Sequence, residues 1–192
     1  MKISKIKSNA KLNLALNITG KKKALHKIES IIGFIDLHDV ISINQYKGNK
    51  HLISFYGKFS KNIDKKNTVE KLFQILDKQN LIKKKKFKIR IKKNIPQEAG
   101  LGGGSMNAAS VLNYLIKKKI TNPNHKKIRS ICKLIGSDVV LGTISSNCVL
   151  SSNGRIKKIY NSQKYYTILV KPNFGCSTKK IYSAVNKYTK PK

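Results

Sequence analysis

The chain has 192 residues, with 41 Lys or Arg against 8 Asp or Glu and a formal net charge of +33. That length fits one ordinary domain, or one domain plus the start of another, and a core large enough to need no disulfide or metal staple. An apolar fraction of 40% argues against wholesale disorder. No apolar run of about 18 residues exists to span a membrane, and the N-terminus lacks the apolar stretch of a secretory signal, so a cytoplasmic protein without a membrane partner is expected.

Leu12, Leu14, Leu16 and Ile18 alternate with small or polar residues, the pattern of a half-buried strand. Thr19-Gly20 and the lysines after it read as a turn. Residues 26–36 and 39–46 read as two β runs around Asp36-Leu37-His38-Asp39, and 51–56 as a short strand. Asn67-Thr68 opens a helix that places Val69, Leu72, Phe73 and Leu76 on one face. Phe87, Ile89 and Ile91 alternate with Lys88, Arg90 and Lys92, a strand with one wet face that Pro96 ends. A glycine-rich stretch leads into a helix near 105–119, and a shorter helix near 125–135 stops at Gly136. Cys148–Leu150 and Arg155–Tyr160 flank a hairpin turn at 151–154. Residues 164–170 read as another strand, and Ser177-Thr178 as the cap of a last helix from Lys179 to Val185. The mixed order predicts an α+β fold rather than a regular βαβ array.

Cys132, Cys148 and Cys176 are odd in number and have no CxxC spacing, so buried reduced thiols are expected and a zinc site is not. The charge admits two readings. It is either a footprint for a polyanion or the mark of an AT-rich genome, which favours Lys, Ile and Asn. Only Arg90, Arg129 and Arg155 are arginines, although Arg is the better bidentate reader of phosphate. The lysines are also spread along the whole chain, which favours composition.

The most informative stretch runs from Ile95-Pro96-Gln97-Glu98-Ala99-Gly100-Leu101 through Gly102-Gly103-Gly104-Ser105-Met106-Asn107-Ala108-Ala109. Glycines admit positive φ and let a ligand approach main-chain N–H groups. The helix that follows adds donors without intrahelical partners and a positive dipole end. Together they make an anion cradle suited to nucleotide phosphates, and Ser105 is placed to cap the helix or reach a phosphate. No GxxxxGK[ST] is present, and GxGxxG does not fit. Two more segments stand out: Ser8-Asn9-Ala10-Lys11-Leu12-Asn13-Leu14, with a lysine inside an apolar alternation, and Gly136-Ser137-Asp138-Val139, with one of the eight acids at a helix–strand junction.

These segments, in this order, resemble the GHMP kinase superfamily of small-molecule ATP kinases. The first matches S-P-A-K-[IL]-N-L, residues 96–109 match P-x-x-[AG]-G-L-G-G-G-S-x-[ND]-A-A, and residues 136–139 match G-[AS]-D-[VI]. His26-Lys27-Ile28-Glu29-Ser30-Ile31, continued to Asp39, is similar to the stretch Y-H-x-[IL]-x-[ST] that ends in D in one branch of the family. That branch acts on a cytidine-diphosphate-linked methylerythritol in non-mevalonate isoprenoid synthesis. The resemblance implies Asp138 as the base for the attacking 2-hydroxyl, with Lys11 beside it favouring the ionised carboxylate. It implies ATP held by Pro96, Gly100, Leu101, Gly102, Gly103, Gly104, Ser105 and Asn107, with Mg²⁺ on the phosphates and no metal-ligating set from the protein. His26, Tyr182 and Asn13 would contact the substrate, His26 and Tyr182 at its cytosine. Four positions depart from the pattern: Asn9 and Val140 stand where prolines are usual, Leu25 where an aromatic ring is, and Glu98 where a small residue is.

The family also has a second α+β domain with a further glycine motif. Residues 1–160 are expected to form the N-terminal ATP-binding domain, with a mixed sheet and packed helices, and 161–192 the first piece of the second, so a shortened chain is expected. Two alternatives stay open: a kinase fragment without activity, and a basic RNA- or ribosome-binding module on the same N-terminal fold. The glycine loop weighs against a nucleic-acid partner.

Overall fold

The alternation in Lys86–Lys92 (β4) buries Phe87, Ile89 and Ile91 and leaves Lys88, Arg90 and Lys92 in solvent. The structure, a computed structural model, describes residues 3–22, 25–160, 163–172, 174–175 and 178–191. Ahead of β4 come Ser4–Lys22 (β1), Leu25–Tyr46 (β2), Leu52–Tyr56 (β3) and the helix Thr68–Lys78 (α1). After it come Gly103–Lys117 (α2), His125–Ile135 (α3), Val139–Ile144 (α4), Cys148–Leu150 (β5), Ile156–Lys158 (β6) and Thr178–Ser183 (α5). The element order is α+β, as expected from the sequence. Helices and strands divide into two compact units, neither of them one continuous stretch.

The first unit takes the chain up to Ala10, Asp36–Pro96 and Gly102–Ile144. In it β4 pairs in parallel with β3, Phe55 opposite Ile91, and antiparallel with the second half of β2, Ile43 opposite Ile89. Helices α1, α2 and α3 bring Leu72, Phe73, Leu112, Leu115 and Ile131 onto Ile41, Ile43, Ile89 and Ile91 to make the core. The start of α1 is local chemistry: Asn67 Oδ1 accepts from the N–H groups of Val69 and Glu70, both at 3.0 Å. Asn124 caps α3 in the same way through Lys127 N–H at 2.9 Å, and Gly136 ends that helix.

The second unit takes Lys11–Ile35, Gln97–Leu101 and the chain from Ser145. There Ser30, Ile31 and Ile32 of β2 pair antiparallel with Leu150, Val149 and Cys148 of β5, which turns back on β6. The hairpin turn closes through Gly154, at φ +79, with its N–H on Ser151 O at 2.8 Å. β1 pairs with β2, and Thr189 N–H donates to Ile18 O at 2.9 Å.

Several expectations are corrected. Residues 26–46 form one strand and not two, because the Asp39 carboxylate within it is fully buried and accepts its own set of donors. The chain stays extended past Thr19-Gly20 to Lys22. The glycine-loop helix begins at Gly103, two residues early, and Val139–Val140 enter α4 instead of a strand. Residues 164–170 are extended without a strand partner among the described residues, which leaves Tyr166, Ile168 and Val170 exposed. Cys132 and Cys148 are buried free thiols, and burial pushes Cys132 up to about 11 and Cys148 upward too. Cys176, and the capping side chains expected of Ser177 and Thr178, lie outside the described residues.

His51 sits in the first unit against the rings of Phe73 and Phe87, with centroids 4.2 and 5.9 Å away. Its Nδ1 accepts Phe87 N–H at 3.2 Å, which places the proton on Nε2, 3.2 Å from Asp77 Oδ2. Asp77 also pairs with Lys86 at 2.6 Å. Burial, above the opposing pull of Asp77, holds His51 below the ordinary 6.5. The unfolded chain therefore binds the extra proton first as pH falls, and stability drops below about pH 6.5. Thermal melts from about pH 8 to 5 should show this loss in the wild type and a flatter profile in His51→Gln; equal slopes would remove His51 as the cause.

Candidate active site

The glycine loop bridges β4 and α2, and its backbone explains its glycines. Gly100 and Gly102 take left-handed φ of 70 and 67, a region where a side chain costs about 1 kcal/mol. Gly102 is the N-cap of α2, and no side-chain cap bond is made there among the described residues. The first intrahelical bond runs from Met106 N–H to Gly102 O at 2.9 Å. The N–H groups of Gly103, Gly104 and Ser105 thus begin a 15-residue helix without an acidic residue in its first turn, an arrangement that attracts an anion. Ser105, expected as a cap, is instead the third residue of the helix. Its Oγ lies 3.8 Å from where a Cβ on Gly136 would stand, so the loop serine neighbours the turn that carries Asp138.

Gly103 and Gly104 are constrained by the fold itself. A Cβ on Gly103 would meet Ile95 Cγ2 at 3.0 Å and Lys93 Nζ at 3.2 Å, and one on Gly104 would meet Thr68 Oγ1 at 3.3 Å. Thr68 Oγ1 already donates to Gly104 O at 2.6 Å. The first turn of α2 therefore rests on the end of β4 and the start of α1. Pro96 is half-buried before the loop. Glu98 holds a left-handed φ of 50, a conformation that glycine adopts at less cost than any residue with a Cβ.

Asp138 is half-buried in the turn before α4, with Ser137 Oγ 3.4 Å from its Oδ1 and its carbonyl accepting Leu141 N–H at 3.1 Å. Asn107 is buried, and its Nδ2 donates to Asp39 Oδ2 at 2.9 Å. Asp39 and Lys93, both buried and paired with each other, are not among the candidate site residues; the sequence signal for Asp39 is its place at the end of the stretch from His26.

In the second unit Lys11 is buried, and its Nζ donates to Asn13 Oδ1 at 2.5 Å. Asn13 Nδ2 donates to Ser30 Oγ at 2.7 Å, and Ser30 Oγ to Ala15 O at 2.7 Å. The Lys11 backbone N–H also holds Leu101 O at 3.1 Å, so the lysine strand and the loop residue Leu101 are tied. His26 and Tyr182 lie ring on ring at 5.1 Å and 21°, with Tyr188 at 6.3 Å from His26. His26 also lines a cleft of about 550 Å³ with Lys27, Ile28 and the hairpin residues 150–154. The structure thus brings Lys11 to Asn13, His26 to Tyr182 and Ser105 to the Asp138 turn. Lys11 and Asp138 fall in different units. Among the described residues no group of three His, Cys, Asp or Glu side chains is placed to hold a metal ion.

Residues 67–154, from the cap of α1 to the hairpin turn, match the N-terminal domain of the GHMP kinases. A crystal structure of 4-(cytidine 5'-diphospho)-2C-methyl-D-erythritol kinase superposes with a TM-score of 0.65 at 21% identity, over 81% of this chain and 55% of that one. A mevalonate pyrophosphate decarboxylase from Streptococcus pyogenes gives 0.61 at 13%, over 83% and 51%; both likenesses are of fold. This chain belongs to the GHMP kinase family. Within it, the sequence is similar to the 4-diphosphocytidyl-2-C-methyl-D-erythritol kinases. That of Pelagibacter ubique is 56% identical over 97% of this chain and 66% of its own length, and that of Fusobacterium nucleatum 36% over 94% and 62%. The chain accordingly spans somewhat less than two thirds of these relatives.

The two kinds of glycine constraint separate experimentally. Gly100→Ala adds a Cβ to open space at positive φ and should cost about 1 kcal/mol in urea unfolding. Gly103→Val drives two methyls into Ile95 and Lys93 and should cost about 2 kcal/mol or more. Equal costs would show that the Gly103 contacts yield freely.

Proposed function

We propose that this chain is the ATP-binding part of a kinase that phosphorylates the 2-hydroxyl of 4-diphosphocytidyl-2-C-methyl-D-erythritol. The observation that carries the reading is the glycine cradle at the start of α2, with Ser105 beside the Gly136–Asp138 turn. In this reading residues 1–160 are the N-terminal domain, and 161–192 begin the second.

The cradle suits a triphosphate: Gly100 and Gly102 take left-handed φ, and three N–H groups begin α2 without an acidic residue in its first turn, donors that attract phosphate oxygens. ATP would supply the transferred phosphoryl group, and Mg²⁺ carried with the nucleotide would offset the phosphate charge. Gly100, Leu101, Gly102, Gly103, Gly104 and Ser105 hold and orient the phosphates through main-chain N–H groups and the Ser105 hydroxyl, with Pro96 bounding the loop. Asp138 takes the proton from the 2-hydroxyl as that oxygen bonds to the γ-phosphorus and the bond to the β-phosphate oxygen breaks, so ADP leaves and the proton stays on the carboxyl. Lys11, oriented by Asn13, supplies positive charge to the carboxylate and the developing phosphoryl charge, and Asn13 touches the substrate polyol. His26 and Tyr182 receive the cytosine, Tyr182 by ring stacking and His26 at the base edge.

The test is ADP release dependent on the diphosphocytidyl substrate, measured on residues 1–192 joined to the C-terminal third of the Pelagibacter ubique relative. Asp138→Asn should lower kcat about 10²-fold or more and change nucleotide affinity by less than about threefold. Turnover near wild type in that variant would make Asp138 a turn residue, and no substrate-dependent ADP release from the parent would overturn the function.

A further inference from the structure

Outside the residues given a role above lies one feature the mechanism does not use: a fully buried carboxylate in the middle of β2. Asp39 is the only acid among the described residues in that state. Its Oδ1 accepts the backbone N–H groups of Asn94 and Ile95 at 2.8 and 2.9 Å. Its Oδ2 accepts Asn107 Nδ2 at 2.9 Å and the Nζ of buried Lys93. Asn94 Nδ2 adds a bond to His38 O at 2.9 Å, so the backbone beside Asp39 is tied to the same segment.

These partners are not scattered. Lys93, Asn94 and Ile95 are the last residues before Pro96, and Asn107 is the fifth residue of α2. Oδ1 holds the backbone of the chain entering the glycine loop, and Oδ2 bridges Lys93 on that entry side to Asn107 in the helix leaving it. Ile95 and Lys93 occupy the space a side chain on Gly103 would need, so the helix start lies beside the residues that Asp39 clamps. Main-chain N–H donors have no rotamers of their own, and they reach a phosphate only as far as the helix start is correctly placed.

We infer that Asp39 is a positioning residue for the phosphate loop, its two oxygens setting the entry and the exit of residues 96–102 independently of nucleotide. The inference rests on the phosphate-binding reading of that loop. A buried carboxylate serving only overall stability would be felt throughout the core; a clamp on two loop ends is felt first at the loop.

The experiment follows hydrogen exchange of peptides covering 96–107, with α1 and α3 as references, in the 192-residue chain. Asp39→Asn leaves Lys93 buried without its counter-charge, and Asn107→Asp sets two carboxylates together. Each should raise loop exchange about tenfold or more, with α1 and α3 within about twofold of wild type. The double variant Asp39→Asn/Asn107→Asp returns one carboxylate and one amide to the cluster and should restore loop exchange to within about threefold. Should Asp39→Asn fail to fold, Asn107→Ala keeps the Lys93 pair and carries the same readout. Unchanged loop exchange, an equal rise in all peptides, or no recovery in the double variant would overturn the inference. In parallel, the Kd of a fluorescent ATP analogue should rise about tenfold in the single variants and recover in the double. A wild-type chain that binds no nucleotide would defeat the phosphate reading, while the exchange data still decide whether Asp39 clamps the loop.

Discussion

A carboxylate with no access to water has to be surrounded by donors, and Asp39 meets that requirement with two backbone N–H groups, an amide and an ammonium. Leaving out the ammonium would strand a buried charge, at a cost of about 3–5 kcal/mol, and leaving out a neutral donor would remove a charge-assisted hydrogen bond. The demand fixes more than one side chain. It joins the middle of β2 to the segment after β4 and to the first turns of α2, which lie 54 to 68 residues further along the chain. The continuity of β2 through an acidic, turn-like stretch and the seat of the glycine loop both follow from it.

Around this clamp the loop combines two opposite tolerances. Gly100 and Gly102 need freedom of φ, and Gly100 has open space where a Cβ would stand, whereas Gly103 and Gly104 have helical backbone and need the absence of a side chain. The first pair shapes the cradle, and the second lets α2 settle on Ile95 and Thr68. An anion-binding helix start of this kind gains nothing from a capping side chain, which would take the donors the ligand needs. The residue at the N-cap, Gly102, has none.

The second unit follows a different logic. Lys11, Asn13 and Ser30 form a short polar chain on paired strands, and His26, Tyr182 and Tyr188 form an aromatic group near a polar hairpin. Tyr166, Ile168 and Val170 stand in solvent, and β propensity alone does not hold a strand without a neighbour to pair with. In the first unit the high positive charge sits on a wet strand face: β4 alternates core residues with Lys88, Arg90 and Lys92 in water, where like charges are hydrated and screened.

Features governed by near neighbours were legible in the sequence. The α1 face of Val69, Leu72, Phe73 and Leu76, the Asn67 cap, the β4 alternation, the Gly136 stop and the 151–154 turn depend on residues within a turn or two of each other. The glycine loop could be read as an anion cradle for the same reason, since its donors are its own backbone. What sequence could not supply was pairing over distance. Asp39 looked like the start of a second β run because the donors that hold one strand through it lie far along the chain, and residues 164–170 looked like a strand because the pattern does not say whether a partner is present. Gly103 looked like a place of close ligand approach, whereas Ile95 and Lys93 occupy that side of it. Local hydrogen bonding and periodicity determined the elements and the chemistry of the loop. Tertiary structure alone decided which buried charge holds that loop in place, because a carboxylate's surroundings come from segments that meet only when the chain has folded.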